Sequence, residues 1–202
     1  MITPRPYLSY SQMVMFERNP QEYADRYIYD KKQRVSRNMA YGSMLADGLE
    51  SDEATGDPLL DLMMAKLPKY ELMDKPLEAD LPDGKESIRL LAKPDTAKAD
   101  YTAFDEYKTS VRKWTQKMAD ESAQITFYAT VIWLAKKIKP EDIKIRLINV
   151  PLEYQEDGSL APTGEDPIVL PTKRTLVDVI RMTNRARNAW SGIKELCIKE
   201  LL

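Results

Sequence analysis

Two stretches decide how this sequence reads: Ser87-Ile88-Arg89-Leu90-Leu91-Ala92-Lys93-Pro94-Asp95, and after it Tyr101-Thr102-Ala103-Phe104-Asp105-Glu106-Tyr107-Lys108. Asp83-Gly84 marks a turn, residues 87–93 rise out of it as a strand, and Pro94-Asp95 closes that strand. Residues 101–108 form a second strand, and the link between the two is short enough for a hairpin-like connection. Alternate residues of a strand share a face, so Glu106 and Lys108 project together. Asp95, at the end of the neighbouring strand, is placed to converge on Glu106. Two carboxylates and an amine on one sheet edge form a site for a hard divalent cation, Mg²⁺ or Mn²⁺. Such an ion polarises a phosphate and acidifies a water, while the lysine orients that water, neutralises charge, or takes a proton if its pKa is depressed.

Working outward, Ser9 or Ser11 caps a short helix, and Asn19-Pro20 starts another that runs through Gln21 to Tyr29. Residues 39–50 read as a helix in which Gly42 and Gly48 point to close packing, and residues 58–67 as a further helix after Asp57-Pro58. Residues 70–79 are weakly extended. A long helix is expected over 115–138, strands over 143–150 and 168–170, and a terminal helix from Arg174. The apolar stripe of that last helix is Val179, Met182, Ala186, Trp190, Ile193 and Cys197, with Arg174, Arg181 and Arg185 on a solvated face. The expected fold is a single α/β domain over 1–202: a mainly helical part over 1–68, then a mixed central β-sheet flanked by helices over 69–202.

Composition narrows the chemistry. Among 202 residues there is no histidine and one cysteine, which removes Ser-His-Asp triads, histidine-bound zinc and any cluster held by four thiolates of this chain. The 30 basic and 32 acidic residues leave a net charge of −2, so contact with a polyanion needs a local patch. The basic cluster Lys31, Lys32, Arg34 and Arg37 is one candidate, as a phosphate contact or simply a solvated connection. No apolar run approaches the roughly 20 residues of a membrane span. The first residues carry no signal-peptide pattern, and a cytoplasmic setting without membrane is expected.

These features together resemble one family. Pro94-Asp95…Glu106-Tyr107-Lys108 is similar to the signature of the PD-(D/E)XK nucleases, whose core is restriction-endonuclease-like. Ser9-Tyr10-Ser11-Gln12 with Asn19-Pro20 and Tyr23 resembles the N-terminal helix of the RecB-like branch. Gly42 to Leu49-Glu50 resembles its G-x-x-x-H-x-x-L-E helix, Glu106-Tyr107-Lys108-Thr109 its D/E-Y-K-T strand end, and Gln124-Ile125-Thr126-Phe127-Tyr128 its Q-x-x-x-Y helix. The compact, cysteine-poor chain is most similar to stand-alone, phage-encoded members.

The resemblance implies an Mg²⁺- or Mn²⁺-dependent deoxyribonuclease, an exonuclease in recombination, repair or phage DNA processing. Its partners would be DNA and recombination or replication proteins, in the host cytoplasm if phage-encoded. Asp95 and Glu106 would hold the metal, with the Tyr107 carbonyl as a backbone ligand, and Lys108 would act on the water. Gln124 and Tyr128 would contact a metal-held water or the DNA backbone. Two departures stand out. The family's metal-binding histidine corresponds to Ala46, so Glu50, one turn on, is the expected replacement and Asp47 the second choice. The cysteine of iron–sulfur members is replaced by Asn19, so no iron–sulfur cluster is expected. The alternatives are an inactive nuclease-fold module that binds DNA or serves structure, and a restriction-type endonuclease.

Overall fold

The computed structural model describes residues 3–32, 37–51 and 53–201, apart from the side chains of 37–39 and 201. The chain opens with a two-residue strand, β1 (Leu8–Ser9), and helix α1 (Tyr10–Arg18). The Ser9 hydroxyl accepts from the Gln12 N–H, pairing one of the donors that every helix start leaves over. Asn19 caps the next helix, α2 (Pro20–Tyr23), accepting from Gln21 and Glu22, and Pro20 takes the first position, where a missing N–H does no harm. The backbone then widens into a π-helical turn over Ala24–Ile28. Helices α3 (Arg37–Ser51) and α4 (Pro58–Lys66) follow, the second capped by Asp57. Gly48 marks a close approach, because a Cβ there would lie 2.7 Å from Thr55 and 2.8 Å from Met64.

The strands come next: β2 (Leu72–Met73), β3 (Leu77–Asp83), β4 (Glu86–Ala92), β5 (Thr96–Ala97) and β6 (Ala103–Ser110). Helices α5 (Gln116–Asp120) and α6 (Ala123–Lys136) lead to β7 (Lys144–Tyr154), β8 (Leu160–Pro162), β9 (Ile168–Thr172) and the terminal α7 (Leu176–Leu201). One sheet has the order β1-β4-β3, and a six-stranded one the order β2-β5-β6-β7-β8 with β9 also on β7. Within the larger sheet β6 and β7 are parallel from Ala103↔Lys144 to Ser110↔Pro151, and the other pairs are antiparallel. The fold is therefore α/β with mixed sheets and flanking helices, as the sequence implies. Among the described strands, β3, β8 and β9 are the outer ones longer than two residues, and they carry Pro82, Pro162 and Pro171.

Two apolar layers enclose the larger sheet. On one face Phe104, Ile145 and Leu147 pack with α6, α7 and the β3–β4 hairpin; on the other Ile148, Val150 and Leu152 pack with α3 and α4. The switch of side along β7 is the period-2 alternation of a strand buried on both faces. Helix α6 is apolar nearly all round, and Ile125 and the run Phe127–Ile132 are buried, as a central helix requires. The six residues of the α7 stripe are all buried, and Gly192 lets α7 meet the Phe16 ring of α1, where a Cβ would stand 2.6 Å away. Among the described residues no helix is long and apolar enough to cross a membrane.

Three expectations are corrected. The strand over 87–93 does not pair with β6; Pro94 cannot donate to a continuing ladder, the chain turns, and the two residues of β5 pair with β6 instead. The single long helix over 115–138 is two helices, and Arg174 explains the break. Arg174 is 2 % exposed rather than solvated, and its guanidinium donates to the carbonyls of Ala119 and Ser122 at 2.9 and 3.0 Å. It also donates to the hydroxyls of Thr126 and Thr172, both at 2.7 Å, and so clasps the α5–α6 junction to the end of β9. Finally, β7 runs past Val150 to Tyr154 and, through the turn that Asp157-Gly158 marks in the sequence, comes back as β8, a strand the sequence pattern does not announce.

Arg174→Met removes these buried, charge-assisted hydrogen bonds. It should lower unfolding free energy by about 2–4 kcal/mol in a urea titration. A midpoint equal to wild type would show that the clasp carries no stability.

Candidate active site

Strand β6 delivers Glu106 and Lys108 to the face covered by α6, while Asp105 points to the other face and is held by Arg146, its partner across β7, at 2.6 and 2.7 Å. The first turn of α6 lays Gln124 over the pair, with Tyr128 one turn further on. Lys108 Nζ donates to Glu106 Oε1 at 2.6 Å and to Gln124 Oε1 at 2.9 Å. Gln124 Nε2 donates to Glu106 Oε1 at 2.6 Å and to the Tyr128 hydroxyl at 2.9 Å. Glu106 and Lys108, expected from strand spacing, and Gln124, expected from the family resemblance, thus form a closed ring of hydrogen bonds to which Tyr128 is attached through Gln124. The second oxygen of Glu106, Oε2, is buried and has no partner among the described residues.

Asp95 leaves β4 behind Pro94, and its Oδ2 accepts from the Tyr107 N–H at 2.6 Å, which fixes the carboxylate against the same strand. It lines a cavity of about 60 Å³ with Asp74, Glu50, Ala46 and Thr109. Glu50 is exposed at this cavity, whereas Asp47 is exposed and outside it. Among the described residues no three Asp, Glu or Cys side chains come together as a metal cluster. Of the basic connection, Lys31 pairs with Asp25 at 2.8 Å; Arg34 and the Arg37 side chain lie outside the described residues.

Two residues that sequence reasoning missed belong here. Asn149 stands opposite Lys108 on β7, donates to the Lys108 carbonyl at 2.9 Å and accepts from the Trp114 N–H at 3.1 Å. It positions the strand end that carries the lysine, and its only signal is a lone amide within the apolar run from Leu147 to Leu152. Asp74 follows β2 with φ 47, its N–H donates to the Asp95 carbonyl at 2.9 Å, and its carboxylate pairs with Lys93. Nothing in the local pattern announces it.

The site is electrostatically uncomfortable on its own. Burial holds the Asp95 carboxyl well above the ordinary carboxylate range, and the charge of Glu106 adds to the shift. Burial also raises Glu106, against the pull of Lys108 and Gln124. Burial presses Lys108 towards its neutral form, yet Glu106 and Asp95 outweigh it and its pKa stands above the ordinary value. Lys108 is therefore an ammonium, suited to orienting water and neutralising charge; the depressed pKa needed for it to take a proton is not found. An unpartnered buried carboxylate oxygen beside a second, raised carboxyl suits Mg²⁺ or Mn²⁺, which accept a few protein oxygens and keep waters.

A carboxyl whose folded pKa exceeds its unfolded value loses stability as pH rises. Below the unfolded value, about 3.9 for Asp, both states hold the proton; above the folded value the full penalty applies. In EDTA the protein should thus lose stability as pH climbs from about 4 through the Asp95 titration. Asp95→Asn keeps the Tyr107 hydrogen bond, and should raise unfolding free energy at pH 7.5. A less stable variant would show that the buried charge is not a burden.

Comparison with known families and with curated proteins finds no match to the sequence. Solved structures do resemble it. A presumed exonuclease from Eubacterium rectale superposes with a TM-score of 0.62 at 11 % identity, over 96 % of this chain and 82 % of that one. LHK-Exo, solved in complex with dAMP, superposes with a TM-score of 0.53 at 10 % identity, over 97 % and 92 %. At such identities the likeness is one of fold alone.

Proposed function

We propose that the protein is a metal-dependent deoxyribonuclease, an exonuclease of RecB-like type that acts in recombination, repair or phage DNA processing. The observation that carries this reading is the closed network of Glu106, Lys108 and Gln124, with one carboxylate oxygen of Glu106 buried and unpartnered beside Asp95. Asp95 and Glu106 would hold Mg²⁺ or Mn²⁺ with the Tyr107 carbonyl, and Glu50 would approach from the rim. Bound there, the ion would polarise the scissile phosphate and ease attack by water. Lys108 positions the attacking water and offsets the charge that builds on the phosphate. Gln124 holds Lys108 and Glu106 in register, and Tyr128 braces Gln124.

One observation favours a second reading, a nuclease-fold module that binds DNA without cutting it. The helix position that would supply a third ligand is Ala46, which cannot coordinate. Manganese titration separates the two, since a dead module binds Mn²⁺ no better than its Asp95→Ala variant.

The decisive assay incubates the protein with end-labelled linear DNA and with circular single-stranded DNA, with and without Mn²⁺. An exonuclease degrades the linear substrate only, and an endonuclease opens the circle. Asp95→Ala and Glu106→Ala should each abolish cleavage, and full activity in either folded variant refutes the assignment. Lys108→Ala should bind Mn²⁺ at least as tightly, because a neighbouring cation is lost, yet turn over about 100-fold more slowly. An unchanged rate would make Lys108 a mere structural charge. Calorimetry on Glu50→Gln should show weaker Mn²⁺ binding with Asp47→Asn unaffected; the reverse order would move the third ligand to Asp47.

A further inference from the structure

Beside the carboxylate pair runs a second, larger depression of about 600 Å³, walled by the N-terminal segment, α1, the π-helical turn, the end of β4 and the start of α6. Its lining brings together Arg5, Arg18, Arg26 and Lys93, and none of its described lining residues is acidic. In a chain with 32 acidic and 30 basic residues, such local segregation of charge is not what a neutral solvated surface looks like. Tyr7 and Tyr27 stand among these cations, and Arg26 lies over the Tyr27 ring at 5.8 Å. The N-terminus of α1 opens on the same space through Ser9 and Ser11. Gln12, also in the lining, is 2 % exposed and its side-chain oxygen has no partner, a vacancy that a nucleobase N–H suits and a phosphate does not. At its inner end the groove reaches Gln124, which donates to Glu106, and Tyr128, which accepts from Gln124.

We propose that this groove is a track for single-stranded DNA, with phosphates on Arg5, Arg18, Arg26 and Lys93 and bases against Tyr7 and Tyr27. Cations that follow a backbone, interleaved with aromatic faces, are the chemistry of single-strand binding. The volume is that of a small-ligand site, room enough for a strand with one or two bases. Arg18 now pairs with Glu22, and Lys93 with Asp74; exposed pairs of this kind are worth no more than about 1 kcal/mol and exchange readily for phosphate. The inference rests on the nuclease reading for the direction of the strand, towards Glu106, and not for the binding itself.

The test measures fluorescence anisotropy of labelled oligo(dT) of about 12 nucleotides in EDTA, where no cleavage intrudes. Arg5→Ala/Arg18→Ala/Arg26→Ala should bind at least tenfold more weakly, and its plot of log affinity against log salt should flatten by about 2, at roughly 0.7 per lost phosphate contact. The corresponding triple lysine variant should recover the wild-type slope, which a merely misfolded protein would not do. Tyr7→Leu/Tyr27→Leu should bind about tenfold more weakly with the slope unchanged. A blunt duplex of the same length should bind wild type less tightly than the single strand. Wild-type affinity and slope in the triple alanine variant, or a duplex bound as tightly as the single strand, overturns the proposal. If the protein neither binds Mn²⁺ nor cleaves, while the anisotropy pattern holds, the nuclease reading falls and the groove stands. If cleavage is metal-dependent and the triple variant binds normally, the groove alone falls.

Discussion

Parallel strands cannot be joined by a tight turn, and the eight-residue parallel ladder between β6 and β7 therefore dictates much of this architecture. The chain must leave the top of β6, cross the sheet and return to the bottom of β7. It crosses by way of α5 and α6, and α6 comes to rest over the face that carries Phe104, Ile145 and Leu147. An apolar helix laid there must itself be covered, and the β3–β4 hairpin and α7 do so. The same crossing carries Gln124 over Glu106 and Lys108. Chemistry and topology thus share one cause: the helix that closes the ladder also roofs the carboxylate.

That roof makes a charged group costly to keep. Glu106 is 3 % exposed, and one of its oxygens has two donors while the other has none. A fold built only for stability would place an apolar residue there or complete the pairing. The half-satisfied carboxylate, next to an aspartate that burial and repulsion hold above its ordinary range, is strain stored against the arrival of positive charge. Asn149, by contrast, is fully engaged: it ties the Lys108 carbonyl to the loop at Trp114, so the lysine's backbone is held in place.

Much of this is legible in the residues. Strand alternation assigns Glu106 and Lys108 to one face and Asp105 to the other, and helical spacing stacks Gln124 on Tyr128. What escapes the sequence is nonlocal. The break at Glu121–Ser122 is braced by Arg174, about fifty residues away, which donates to the Ala119 carbonyl where a continuous helix would have supplied the Ala123 N–H. The partner of β6 depends on where Pro94 turns the chain, so a short loop suggests a hairpin with the wrong strand. Asp74 reaches the site through a left-handed backbone position that no apolar pattern marks. Ala46 and Glu50 reach the expected cavity because helix geometry alone carries them there.

The prolines of the outer strands bear on how the molecule keeps to itself in a crowded solution. A sheet margin is a row of unspent donors and acceptors, and a second chain can zip onto it to start a fibril. Here β1 and β2 are two residues long, too short to template another strand. The longer margins carry Pro82, Pro162 and Pro171, each of which deletes a donor from the row and misfits a regular ladder. Replacing the exposed Pro82 and Pro171 with valine would leave the packed interior almost untouched and create the sticky borders that amyloid growth exploits.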